Sequence, residues 1–229
     1  MKMKILTFGT IAILLTASSN AQKARIQAGV NLANVSVTDN GRVDDANMLT
    51  SFQVGIVGDF PIGSIVAIQP GILYTGKGSK VQSGDPNGAS YFKQTTNPFY
   101  FEIPANIVFK FPFGSESHFF VGAGPYLGIG VSGKATTEGK AFNIAFHNEK
   151  SVVFSSDDPT TFNQEEGTGL GVMKRFDYGA NGTVGIAGKS LVLGANYGLG
   201  LAKLQSGATN NEDNNNKHRV LSFFVGFRL

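Results

Sequence analysis

The chain contains no cysteine and no tryptophan in 229 residues. Disulfides, thiol catalysis, cysteine-held metals and a lipid-carrying N-terminal cysteine are therefore excluded. Histidine occurs only three times, which leaves few side chains for general base work near neutral pH. Charged residues make up 15% and the net charge is only +3, with no basic cluster, so nothing points to a nucleic-acid partner. No apolar run reaches the roughly 20 residues that a spanning helix needs. Glycine and phenylalanine are plentiful instead, at 30 and 19 residues.

The first stretch reads as an address rather than as part of the fold. Lys2 and Lys4 precede an apolar run from Ile5 to about Thr16, and Ser19-Asn20-Ala21 supplies small residues at a cleavage point. Residues 1–21 are expected to be a secretory signal peptide, and 22–229 one domain.

Eight strand-like segments follow, near 24–36, 51–60, 64–76, 98–111, 117–131, 175–187, 190–202 and 218–229. Each alternates with a period of two. In the fourth, Phe99, Phe101, Ile103, Ala105, Ile107, Phe109 and Phe111 oppose Tyr100, Glu102, Pro104, Asn106, Val108 and Lys110. The bulky face carries no charge in mid-strand, and Lys or Arg there would cost about 2–4 kcal/mol at a bilayer midplane. The other face is rich in glycine, as at Gly122, Gly124, Gly128, Gly130, Gly179 and Gly185. Residues without bulk suit the crowded interior of an eight-stranded barrel better than a surface in water.

The gaps alternate between short ones of about three to six residues and long ones of about fourteen, twenty, forty-odd and fifteen, the rhythm of membrane barrels. Short turns fall at Pro61-Ile62-Gly63-Ser64, Pro112-Phe113-Gly114-Ser115 and Gly188-Lys189-Ser190. The expected fold is all-β: an eight-stranded antiparallel transmembrane β-barrel, an up-and-down meander with long extracellular loops. It is expected in the outer membrane, with N- and C-termini in the periplasm. The gaps at 37–50, 77–97 and 203–217 read as ordinary polar loops. The third, 132–174, differs: Phe142, Ile144 and Phe146 alternate, Asn148-Glu149-Lys150 reads as a turn, and Val152 and Phe154 follow. It is expected to form a hairpin above the barrel or over its mouth, with His147 at the tip. Phe142, Ile144, Phe146, His147, Val152 and Phe154 are thus the candidate surface-binding loop.

The segments IQAGVNLANV (26–35), AIQPGILYTGKG (67–78), YFEIPANIVFKF (100–111), FFVGAGPYLGIG (119–130), RFDYGANGTVGI (175–186) and LVLGANYGLGL (191–201) resemble the PorT-like family of outer-membrane β-barrel proteins. Glu-Ile-Pro, Gly-Pro-Tyr and Asp-Tyr-Gly are the most specific parts. The resemblance implies an eight-stranded barrel and, through the founding member, a tie to type IX protein secretion. Such chains commonly end in an aromatic residue read by the barrel-insertion machinery; here Leu229 is last, with Phe227 on the same face.

The interior-facing set comprises Arg25, Gln27, Asn31, Asp59, Gln69, Glu102, Asn106, Lys110, His118, Arg175, Asp177, Asn181 and Arg228. Its charges fall at two levels: Arg25, Asp59, Lys110 and Arg228 toward the periplasm, and Glu102, Arg175 and Asp177 in the outer half. Both levels mix signs, as buried charge requires. An ion-paired plug is the expectation and a gated path for small solutes the alternative. His218 and Ser222 are about 13 Å apart along one strand, too far to act together. Asp157-Asp158 and Glu165-Glu166 lack the spacing of a metal loop. The expectation is a non-enzymatic envelope protein with no catalytic residue, cofactor or metal. Its partners would be outer-membrane lipid, the barrel-insertion machinery, and an extracellular or secretion-system protein. An accessory role in secretion and a narrow channel are the alternatives.

Overall fold

The computed structural model describes residues 23–36, 48–88, 90–141, 144–155, 172–204 and 217–229. The expected signal peptide lies outside them. The strands are β1 (Lys23–Ser36), β2 (Leu49–Pro61), β3 (Val66–Gly76), β4 (Ser79–Gly84), β5 (Tyr91–Pro112) and β6 (His118–Ala141). After them come β7 (Ile144–Ser151), β8 (Val153–Phe154), β9 (Val172–Met173), β10 (Phe176–Ala187), β11 (Leu191–Gly200) and β12 (Lys217–Arg228).

The ring runs β1-β2-β3-β5-β6-β10-β11-β12 and closes where β12 pairs antiparallel with β1, from Arg25↔Arg228 to Ser36↔Lys217. This is the expected eight-stranded antiparallel barrel. Closure joins the two edges of the sheet, so the ladders satisfy the wall's backbone groups without water.

The period-two pattern turns its bulky side outward. Along β5, Glu102, Pro104, Asn106 and Val108 are buried, whereas Phe101, Ile103, Ile107 and Phe109 are exposed on the outer surface. The inward glycines make room for neighbouring aromatics. A Cβ on Gly185 would come within 2.6 Å of Phe120, one on Gly194 within 2.5 Å of Phe224, and one on Gly179 within 2.7 Å of Tyr126. The barrel is narrow, so each large inward ring needs a strand neighbour with no side chain. The tight turns lie where the sequence puts them, closed by Ile62 N–H to Val66 C=O (3.0 Å), Phe113 to Ser117 (3.2 Å) and Gly188 to Leu191 (2.8 Å).

Above the opposite rim the strands run on farther than expected. The stretch 77–97 is a hairpin, not a polar loop. β3 and β4 follow one register along β5, from Gly76↔Phe99 to Ser79↔Thr96. β5 begins at Tyr91 rather than 98, and β6 continues to Ala141 rather than stopping at 131. β7 folds back on β6, from Ala141↔Ile144 to Lys134↔Ser151. The expected hairpin in the third loop thus exists, with β6 ending at Ala141 and β7 starting at Ile144. Asn148-Glu149-Lys150 is strand, and His147 stands opposite Glu138 in mid-strand instead of at a tip. Together β4, β5, β6 and β7 make a four-stranded blade continuous with the barrel wall.

A bulge explains why the strand signal stopped at 131. The β5–β6 register shifts between Phe99↔Ser132 and Tyr100↔Gly130, leaving Val131 as an extra residue. Even-numbered residues of β6 face inward below it, and odd-numbered ones above it. Buried Tyr126 and Gly128 give way to buried Ala135 and Gly139. The alternation breaks there, and apolar content falls at the same point.

Candidate functional site

Two places concentrate chemistry: the barrel interior and the blade. At the turn end of the interior, Lys110 Nζ lies 2.7 Å from both carboxylate oxygens of Asp59. Gln69 donates to the same carboxylate at 3.4 Å. Arg228 donates to the Gly188 carbonyl at 2.8 Å and approaches His118 Nε2 at 3.2 Å. Arg25 sits one layer deeper, donating to Gln27 (3.0 Å) and Gln69 (3.2 Å), with its guanidinium 5.5 Å from the Phe224 ring. Beside it, Val108, Phe120, Ala187, Val192 and Phe224 form an apolar plug.

The middle layer is polar and small. Asn31 donates to Thr75 Oγ1 at 2.8 Å and to the Gly76 carbonyl at 3.0 Å. A cavity of about 20 Å³ lies among Gln53, Thr75, Lys77, Glu102, Asn181 and Ser222. That is room for about one water.

The layer toward the blade is built around a cation that the sequence reading missed. Lys77 Nζ lies 2.5 Å from Glu102 and 2.8 Å from Asp177, with all three side chains buried. The two acids stand on either side of Gly128 across three strands, Glu102↔Gly128 and Gly128↔Asp177. A Cβ on Gly128 would lie 3.4 Å from Asp177 Cβ and 3.5 Å from the Tyr100 ring. Tyr126 donates to Asp177 at 3.1 Å and offers its ring to Lys77 at 3.9 Å. Asn181 Nδ2 donates to Glu102 at 3.3 Å. Lys77 falls in the stretch that reads as a loop, yet it is buried, and the β3 alternation carried one step past Thr75 points it inward.

Arg175 is corrected in the other direction. Alternation carried back from Asp177 puts it in the interior, but it is exposed. Arg175 sits in a bend before β10, its carbonyl accepting from Gly130 N–H at 2.7 Å. Inward alternation begins only at Asp177. Lys77 holds the outer cationic position instead.

The mouth is closed. Phe154 meets the Tyr100 ring edge-on at 5.7 Å and occupies the space a Cβ on Gly130 would need. Buried His218 lies against the same Tyr100, ring to ring at 5.5 Å. Above them Val35, Ala135, Val152, Met173 and Leu204 form an apolar cap. The candidate binding loop therefore divides. Val152 and Phe154 turn down into the mouth, while Ile144, Phe146 and His147 stand exposed on the blade. Phe142, Asp157-Asp158 and Glu165-Glu166 lie outside the described residues. Among the described residues no three His, Asp or Glu side chains gather as a metal site.

The two faces of the blade differ. The inward face, continuous with the barrel interior, shows Val81, Phe92, Ile144 and Phe146, all exposed. Phe146 lies over Gly139, where a Cβ would come within 2.7 Å of its ring. The outward face holds Lys80, Lys93, Lys134, Lys140, Glu138, Glu149 and His147. Lys93 pairs with Glu138 at 2.5 Å and Lys134 with Glu149 at 2.7 Å. The Lys93 hydrogen bond and charge lower the Glu138 pKa from its ordinary value, and that hydrogen bond raises the pKa of Lys93.

A closed barrel with an apolar outside and an ion-paired, hydrogen-bonded inside is an integral membrane β-barrel. The chain belongs to the outer membrane protein beta-barrel domain family, whose model matches residues 18–206, and it is an integral protein of the outer membrane. No curated protein matches it in sequence. Among solved structures it is similar to Ail, the attachment invasion locus protein of Yersinia pestis, in complex with the heparin analogue sucrose octasulfate. That likeness is at 12% identity and TM-score 0.40, over 91% of this chain and 99% of that one. Neisserial surface protein A is similar at 15% identity and TM-score 0.41, over 90% and 96%. OprG of Pseudomonas aeruginosa is similar at 14% identity and TM-score 0.35, over 91% and 96%.

Proposed function

We propose that this is a non-enzymatic outer-membrane protein that binds a protein partner at the cell surface through the inward face of its blade. The N- and C-termini and the tight turns face the periplasm, and the blade faces outward. Outer-membrane lipid surrounds the barrel, and the barrel-insertion machinery is its partner during assembly. One observation carries the reading: Val81, Phe92, Ile144 and Phe146 share one face of a sheet that stands clear of the barrel. Ile144 is 73% exposed there. Clustered apolar side chains on a surface in water are costly to leave uncovered and commonly mark a contact site.

A second reading, an accessory role in type IX protein secretion, is favoured by the PorT-like segments in β1, β3, β5, β6, β10 and β11. A narrow channel has less support. The interior is filled by ion pairs and aromatic rings around a cavity of about 20 Å³, and eight strands leave room only for side chains.

A deletion strain complemented with wild type or with the Phe92→Ser/Ile144→Ser/Phe146→Ser variant separates these readings. Surface binding predicts that the variant inserts normally yet leaves the adhesion or envelope defect of the deletion. Full complementation by the variant would sink it. Loss of cargo export in the deletion would instead favour secretion. Planar-bilayer recording tests the channel, and absence of conductance steps removes it.

A further inference from the structure

The outward face of the blade is where the lipid-facing wall leaves the membrane, and its chemistry changes within two residues. The last apolar tier on this side is aromatic. Tyr74 and Phe99 stack at 5.0 Å, flanked by Phe52 and Phe101, and Tyr74 Oη is 3.0 Å from Ser132 Oγ. Aromatic side chains of this kind collect at the membrane interface. Two residues higher, Asn97 pairs with Lys134, and two higher again Lys80 pairs with Thr95. Lys93 and Lys140 follow on the same face.

At about 3.4 Å per residue and a tilt of about 40°, Lys134 and Lys80 stand roughly 5 and 10 Å above the aromatic tier. The polar headgroup zone of one leaflet is about 5–8 Å thick. The lysines therefore begin inside that zone and continue above it. The acids of this face, Glu138 and Glu149, are each taken by one lysine. Lys80 makes no ion pair among the described residues, and Lys140 donates only to the Pro86 carbonyl, at 3.1 Å.

We infer that the outward face of the blade holds the phosphate-bearing headgroup of a membrane lipid. A rising ladder of lysines fits a headgroup with phosphates at more than one height better than a single phosphate at the core boundary. The ladder is continuous with the apolar wall, so a lipid whose chains lie along Phe101 and Ile103 brings its headgroup to Lys134 and Lys80. This inference rests on the outward orientation proposed for the blade, but its site is on the opposite face from the proposed partner surface, so loss of partner binding and loss of lipid retention are separable.

The test uses the full mature chain refolded into phosphatidylcholine vesicles with and without lipid A. Amide exchange is read along 91–97 and 134–140, and lipid retention after detergent extraction by native mass spectrometry. Lipid A is expected to slow exchange there and to be retained by wild type. In Lys80→Gln/Lys134→Gln/Lys140→Gln, retention is expected to drop about tenfold or more, since each basic residue near an anionic surface contributes to the attraction. Glu138→Gln/Glu149→Gln is the opposing control: removing acids is expected to raise retention, whereas general damage to the blade would lower it. Equal retention by wild type and the lysine variant overturns the inference, as does equal protection by phosphatidylcholine alone or lower retention in the acid variant.

Discussion

The wall of the barrel and the blade are made from the same strands, yet they are amphipathic in opposite senses. Below Val131 the outward residues of β5 and β6 are Phe101, Ile103, Leu127 and Ile129, and the inward ones include Glu102, Tyr126 and Asn106. Above it the outward residues are Lys93, Lys134 and Glu138, and the inward ones are Phe92, Gly139 and Ala135. β5 runs through both regions without a break and β6 with a single bulge, so the difference lies in what surrounds each region. Alternation says that a strand has two faces; only composition says which medium each face meets.

The sharpest break in the comparison concerns charge. In the barrel, Lys77→Met leaves Glu102 and Asp177 buried together without their cation, and unfolding free energy in vesicles is expected to fall by about 3–5 kcal/mol. Adding Glu102→Gln and Asp177→Asn is expected to recover most of it. On the blade, Lys134→Met breaks an ion pair of similar length, but an exposed one, so no measurable change in unfolding free energy is expected.

Outward substitutions sharpen the contrast in the apolar direction. Ile103→Arg is expected to cost about 2–4 kcal/mol in urea unfolding because it puts a cation into the bilayer core. Thr136→Arg, outward on the blade, is expected to stay within about 0.5 kcal/mol. A similar cost at both sites would mean that the wall does not end where the aromatic tier does.

The smallest effect is pH dependence, and only the blade is expected to show it in its outward ladder. Glu138 titrates below its ordinary range because of Lys93, so its contribution is complete above about pH 4.3 and is lost as pH falls through the lowered value. Lys93 titrates above its ordinary range, so its contribution is complete below about pH 10.4 and is lost as pH rises through the raised value. Amide exchange at 92–95 and 136–140 should be flat between these limits and faster outside them. Glu138→Gln should remove the acid limb.

The barrel was legible because a wall buried on one side and apolar on the other repeats every two residues over eight strands. The tight turns were legible through proline and glycine. What lay above the rim was not, because there the outward face becomes polar and 77–97 has the composition of a loop. The error at Lys77 follows from that: with β3 ended at Gly76, the next residue lost its direction. The error at Arg175 is the converse, since alternation was extended backward into a bend. Val152 and Phe154 were picked for their apolar spacing, but spacing cannot say that they turn down onto Tyr100 while Ile144 stays out.

Val131 has a consequence for how this protein can change. A pleated strand is read in steps of two, and one extra residue acts as a frameshift: everything beyond it is read in the other frame. Val131 escapes that rule because it is the residue without a partner: the pairs on either side of it, Tyr100↔Gly130 and Phe99↔Ser132, would meet directly if it were absent. Deleting Val131 is therefore expected to straighten the strand while Lys134 and Glu138 stay outward, whereas one added residue that no bulge absorbs would turn them toward the capped mouth and Ala135 outward. Paired insertions would merely lengthen the blade. Change in this part of the chain is thus expected to come two residues at a time, or singly at the bulge itself.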